Sequence, residues 1–261
     1  MSETVAARGR RRVRVRCARV GVPLLALALL GAATACSREP SEKDLRAEAT
    51  SPTARARRAA AERTADDLVR RLGAVGGLEH VLTRTVDTCA MPYDGSVFER
   101  TRSPDSLECG MLTEAYFGVR TDMPHVLARV RAARIADWGA PQDPDGNAVD
   151  SPTAAGSVAY ALVYHRDHGR YGDGSLMPAP ALEAPGLRID WDRPHMPLPN
   201  LLAEPAPCPA AGSAVYRRCL TSPAAPAGVA AARSRFGTVL VLRVGGRDSA
   251  ANEYFTVRRA S

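Results

Sequence analysis

The sequence predicts an α+β domain: an antiparallel or mixed sheet with one main helix packed on a face, preceded by an N-terminal helix and a flexible tether. Three observations carry this. Runs that read as strands outnumber runs that read as helices, the clearest helix sits between strands, and the chain closes on two β-rich runs around a Gly-rich turn.

The chain opens with Arg8, Arg10, Arg11, Arg12, Arg14, Arg16 and Arg19 against Glu3, then runs through GVPLLALALLGAATA to Cys36. The apolar part, residues 20–35, falls short of the roughly 20 residues that cross a bilayer core. Pro23 and Gly31 also interrupt it, so residues 1–35 read as the positive and apolar regions of a signal peptide. The small residues Ala32, Ala33, Thr34 and Ala35 before Cys36 resemble the lipobox of bacterial lipoprotein signal peptides, with Ala33 where that family more often has leucine. The resemblance implies diacylglycerol on the Cys36 thiol, cleavage just before it, and a palmitate-type anchor on the extracytoplasmic face of the cell membrane. An ordinary signal peptide cut after Ala33-Thr34-Ala35 would leave Cys36 free. Arg10-Arg11-Arg12 leaves the twin-arginine export route open beside the general one. The Ala/Arg bias, with Lys43 the only lysine, is similar to that of lipoproteins of high-GC Gram-positive bacteria.

The leader also explains the charge. The whole chain has 35 Lys+Arg and 28 Asp+Glu, a net of +7. Residues 1–35 carry six of those seven charges, which leaves the mature part at +1. A nucleic-acid partner argued from global charge is excluded by that balance.

After Cys36 the sequence SREPSEKDLRAEATSPTARARRAAAERTADD is polar and nearly free of large apolar side chains, a composition that buries too little to offset ordering entropy. Residues 36–63 are therefore expected to be the lipidated cysteine and tether, with residues 37–49 flexible. A helix is expected to begin after Ser51-Pro52, an N-cap followed by an N1 proline. Its better part carries Leu68, Val69, Leu72 and Val75 as a stripe, and Gly73, Gly76 and Gly77 end it. It either docks on the domain or serves as a stalk. The globular domain is expected over residues 64–261.

Within it, LTRTVDTCA and CGMLTEAYFGVRT read as strands joined by a Pro/Gly/Ser/Asp-rich loop. The main helix starts at Asp122 with Pro124 in its first turn, buries Leu127, Val130, Ile135 and Trp138, and stops at Gly139 and Pro141. GSVAYALVYH is apolar on both faces and reads as a central strand. From residue 171 to 226 the chain is Pro-rich and irregular apart from a strand at GLRIDW. GTVLVLRV and EYFTVRR close the chain as an expected antiparallel hairpin.

Cys17 lies in the leader and Cys36 at its end, so Cys89, Cys109, Cys208 and Cys219 remain. Four cysteines in an exported domain favour disulfides. Of three pairings the sequence-local one, Cys89 with Cys109 and Cys208 with Cys219, is preferred; each bond would contribute about 2–4 kcal/mol. The spacing does not suit a zinc site, which prefers C-x₂₋₄-C knuckles.

No catalytic motif assembles. His165, Asp167, His168 and Asp173 are metal-capable but leave an expected strand into a turn, and QDPDGNAVD lacks the glycine and glutamate positions of an EF-hand loop. Ser175, Ser213 and Ser249 lack the G-x-S-x-G context. No cofactor or metal is expected. The reading is a membrane-anchored envelope module that binds a partner protein or small ligand, with a tethered extracytoplasmic hydrolase as the alternative. Its working surface is expected over residues 165–199, where Tyr171, Trp191 and His195 gather in a Gly/Pro-rich stretch.

Overall fold

The computed structural model describes residues 39–92, 103–139, 150–210, 212–245 and 253–259. The leader, Cys36, most of the QDPDGNAVD turn and Ser249 lie outside the described residues. No helix among the described residues is long and apolar enough to cross a membrane.

Five helices surround a seven-stranded, wholly antiparallel sheet, an α+β architecture. The expected tether is ordered from its fourth residue beyond Arg38. Helix α1 (Glu42–Ala49) starts from a capping box in which Ser41 accepts from the Asp44 N–H and the Asp44 carboxylate reaches back. It then buries Leu45 and Ala49. Composition alone missed this, because two well-spaced apolar residues suffice when the sheet supplies the rest of the core. Helix α2 (Pro52–Gly73) begins as expected, with Ser51 accepting from the Ala54 N–H and Pro52 in the first turn. Ala54, Arg58, Ala65 and Leu72 form its buried face, so it docks along the sheet and is no stalk.

Strand β1 (Leu78–Ala90) returns along α2 and pairs with β2 (Asp105–Val119) in a long hairpin. Their register puts Cys89 opposite Cys109, and a bulge between His80 and Leu82 re-aims the first residues of β1. On the outer side of β1 lies β5 (Ala214–Ser222), whose Arg217 and Arg218 blunt an otherwise open edge. The closing strands β6 (Val239–Val244) and β7 (Glu253–Arg258) do not form the expected hairpin. Both pair with β2, β6 along residues 113–118 and β7 along residues 105–110, so they lie end to end beside one long strand. The chain leaves β6 at Gly245, where φ is +95° and a Cβ would stand 2.1 Å from the Met111 carbonyl oxygen. Only glycine fits so close to the backbone there. Beyond β6 come β4 (Leu187–Trp191) and the short β3 (Leu182–Ala184).

Helix α3 (Met123–Ala133) is capped by Asp122 as expected but ends at Arg134, which takes a left-handed φ of 47°. Ile135 and Trp138 still enter the core from the segment that follows. The expected central strand GSVAYALVYH is instead α4 (Val158–Arg166). Ser157 caps it, and Val158, Ala161 and Tyr164 recur at helical spacing. It is apolar all round because Val158 and Ala161 meet the main core while Tyr160 and Tyr164 pack on Met177. Helix α5 (Val229–Phe236), absent from the sequence reading, covers the opposite face of the sheet over Tyr116, Val239 and Val241.

Candidate functional site

Two polar clusters fix the architecture on which any site must sit. Asp87 on β1 is fully buried. It accepts from Arg58 Nε at 2.6 Å and from the Tyr254 hydroxyl at 2.6 Å, while Arg58 also donates to the Ala49 carbonyl. The Arg58 guanidinium lies 4.0 Å over the Tyr216 ring. This ties α1, α2, β1, β5 and β7 together beside the Cys89–Cys109 disulfide. Burial pushes the Asp87 carboxyl above its ordinary value even though Arg58 and Tyr254 pull it down. On the other face, Asp192 accepts from the Leu202 and Val239 N–H groups and from Arg233, anchoring the Pro-rich segment to α5 and β6. The Cys208–Cys219 disulfide holds the same segment to β5. Both cysteine pairs are those preferred from spacing, and they suit an oxidising compartment.

The expected working surface separates. Tyr171 is 47% exposed and His195 is exposed, but Trp191 is 0% exposed. Its indole Nε1–H donates to His165 Nε2 at 3.1 Å, and the two rings stack at 5.9 Å. Trp191 is a core residue because β4 is an interior strand under α4, a placement that the "DWDRP" context conceals. Among the described residues no ring contact or hydrogen bond joins it to Tyr171 or His195. The metal-capable side chains diverge as well: His165 turns inward, Asp167 pairs with Arg166, and Asp173 accepts from Ser175. Among the described residues no group of three His, Cys, Asp or Glu side chains is placed to hold a metal.

Burial, reinforced by the Arg193 charge, pushes the His165 imidazole down to about 4 from an ordinary 6.5. The native state therefore binds fewer protons here than the unfolded chain between those values. The site is at full stability above about pH 6.5, and stability is lost as pH falls towards about 4. Wild type should lose more melting temperature than His165→Gln, which keeps an acceptor for Trp191, between roughly pH 7 and pH 4.5. Parallel melting curves would refute the assignment.

The described residues leave an open cleft of about 410 Å³ between the second half of α2 and the β1–β5 side of the sheet. Helix α2 supplies Asp66, Val69 and Arg70. The sheet supplies His80, Thr83, Thr85, Leu220 and Ser222. Leu220 is 50% exposed, an unusual state for a leucine on a strand. Thr85 leans on the buried Thr113 hydroxyl at 3.2 Å, and His80 Nε2 lies 2.8 Å from the Thr83 hydroxyl. Partial burial holds the His80 imidazole below its ordinary value, and its Nε2 hydrogen-bonds with the Thr83 hydroxyl. Arg218 of β5 also pairs with Glu62 of α2, which helps hold α2 against this side of the sheet. The cleft thus combines an apolar strip with hydroxyls, an imidazole and charges of both signs, a composition suited to a ligand with polar groups on an apolar frame. None of these residues marks a site in the sequence, where only Val69 stands out, as part of the α2 stripe; they are drawn from α2, β1 and β5 and meet only through the sheet register.

No family model matches the chain, and no curated protein or solved structure matches it either.

Proposed function

We propose that the chain is a membrane-anchored lipoprotein of the cell envelope, attached through Cys36, whose domain works by binding a ligand in the α2–β5 cleft. The lipobox-like order before Cys36 and the two disulfides support export and anchoring. The observation that carries the binding role is the cleft itself, preformed between a docked helix and a disulfide-stapled sheet, with an exposed Leu220 among hydroxyl groups. Preorganisation of this kind lowers the entropy cost of binding.

One contact favours the runner-up, a tethered extracytoplasmic hydrolase. The His80 imidazole beside the Thr83 hydroxyl is the pairing that a base and a nucleophile make. Binding remains the stronger reading because the cleft supplies recognition groups along its whole length, whereas the pair needs a further group to orient the imidazole.

The test is an amide-resolved NMR titration of the mature domain with N-acetylated sugars and short peptides as probes. Shifts are expected at Thr83, Thr85, Leu220 and Ser222, and Leu220→Arg should abolish them while the melting temperature moves by no more than a few degrees. Shifts confined to Tyr171 and His195 would overturn the site. Turnover of an ester or peptide probe, lost on His80→Ala, would establish the hydrolase.

A further inference from the structure

We infer that the pole of the domain formed by α1, the end of β1 and β7 rests on the phospholipid surface, so that the α2–β5 cleft is presented at the far end, away from the membrane. This rests on the lipoprotein reading of Cys36. Its own basis is the length of chain between that cysteine and the first packed residue. Helix α1 begins at Glu42 with Ser41 as its cap, which leaves residues 37–41 to span the gap. Fully extended, they reach about 18 Å at most. An acylated Cys36 sits at the lipid headgroups, so α1 cannot stand far above them.

Helix α1 is not free to turn on this short link. Leu45 and Ala49 are buried with Cys89, Leu107 and Val257, and the Arg58 side chain donates to the Ala49 carbonyl. The anchored end therefore includes the exit of β1, the entry of β2 and the exit of β7. Met91, at the exit of β1, is 57% exposed, and Arg258 on β7 is 76% exposed while reaching Asp105. An exposed unbranched apolar side chain on one side of β2 and a guanidinium on a long stem on the other suit the headgroup layer, where the stem lies along apolar surface and the charge meets phosphate.

Helix α2 sets the distance to the far end. It leaves this pole at Pro52 and runs 22 residues to Gly73, where a Cβ would stand 3.6 Å from the Phe117 ring towards the opposite end of β2. At helical rise that is about 33 Å. The cleft lies beside Asp66 to Gly73 of α2, so it opens about 20–30 Å out from the lipid by the same measure, within reach of material in the wall or envelope space.

The test is hydrogen–deuterium exchange on the mature, acylated chain in phosphatidylglycerol vesicles, against Cys36→Ser protein without vesicles. Exchange should slow at residues 41–50, 88–92 and 253–259, and stay unchanged at residues 66–73 and 218–222. Acylated chain protected at the cleft end, or nowhere, would overturn the orientation while leaving the anchor intact. Equal slowing in vesicle-free protein at raised concentration would assign the pole to a second copy of the chain and also overturn it. Intact mass of the membrane-extracted chain reads the anchor separately: absence of acyl mass on Cys36 would defeat the lipoprotein reading and the orientation with it.

Discussion

Arg58→Ala should lower the melting temperature by roughly 10 °C, the equivalent of about 3–5 kcal/mol in a domain of this size. The cost comes less from the lost ion pair than from what remains. Asp87 is 0% exposed at its side chain, and without Arg58 its carboxylate keeps the Tyr254 hydroxyl and a more distant Arg218 at 3.8 Å. Leaving a charge so poorly compensated in the interior is among the most destabilising single changes available. The Ala49 carbonyl loses its donor at the same time, so the seat of α1 loosens. The pH dependence has a definite sign. Burial already raises the Asp87 carboxyl above its ordinary value, and removing the guanidinium raises it further. A carboxyl whose folded value exceeds its unfolded one binds protons preferentially in the native state, so the variant should regain stability as pH falls from neutral towards the carboxylate range. Combining Arg58→Ala with Asp87→Asn should recover part of the loss at neutral pH. Strictly additive losses in that cycle would show that the two groups are not coupled.

Arg58 also shows where reading the sequence stops. It stands among Arg55, Arg57 and Arg63 in a run that looks solvated throughout. Only the docking of α2 on the sheet decides that one of them goes inside. What was legible had local causes: the caps at Ser51 and Asp122, the alternation in β1 and β2, and the cysteine pair that their register brings face to face. Helix α4 reads as a strand in the sequence because a short run apolar on all sides fits a buried strand and a buried helix equally, and Ser157 at its cap is the signal that decides for the helix. Helix α5 was invisible for another reason. Its cap, Gly228, offers no side chain, and the free N–H groups of Val229 and Ala230 are met by the Glu204 carboxylate from 25 and 26 residues away. The cleft is of the same kind. Its residues span positions 66 to 222, and no window of sequence contains them together.

Trp191→Ala should cost about 3–5 kcal/mol, the range for removing a large aromatic from a packed core. This reverses what the sequence suggests, since a tryptophan among Asp, Arg, His and Pro reads as a surface residue and its loss would then leave the melting temperature unmoved. In the fold, Trp191 is the largest fully buried side chain among the described residues, at the end of β4 opposite Leu240. It stacks on His165, donates to it through Nε1, and has the Arg193 guanidinium 5.2 Å above its ring. Truncation opens a void below α4 and admits water to the buried Asp190–Arg193 pair, whose partners include the Pro180 carbonyl. Trp191→Phe separates the two contributions: it keeps most of the volume and loses the donor, so it should cost only about 1–2 kcal/mol. Because the tryptophan lies away from the cleft, the Phe variant should retain the probe-induced NMR shifts at Thr83 and Ser222. A melting temperature within a degree or two of wild type for Trp191→Ala would remove it from the core, and loss of those shifts in the still-folded Phe variant would bring it back into the site.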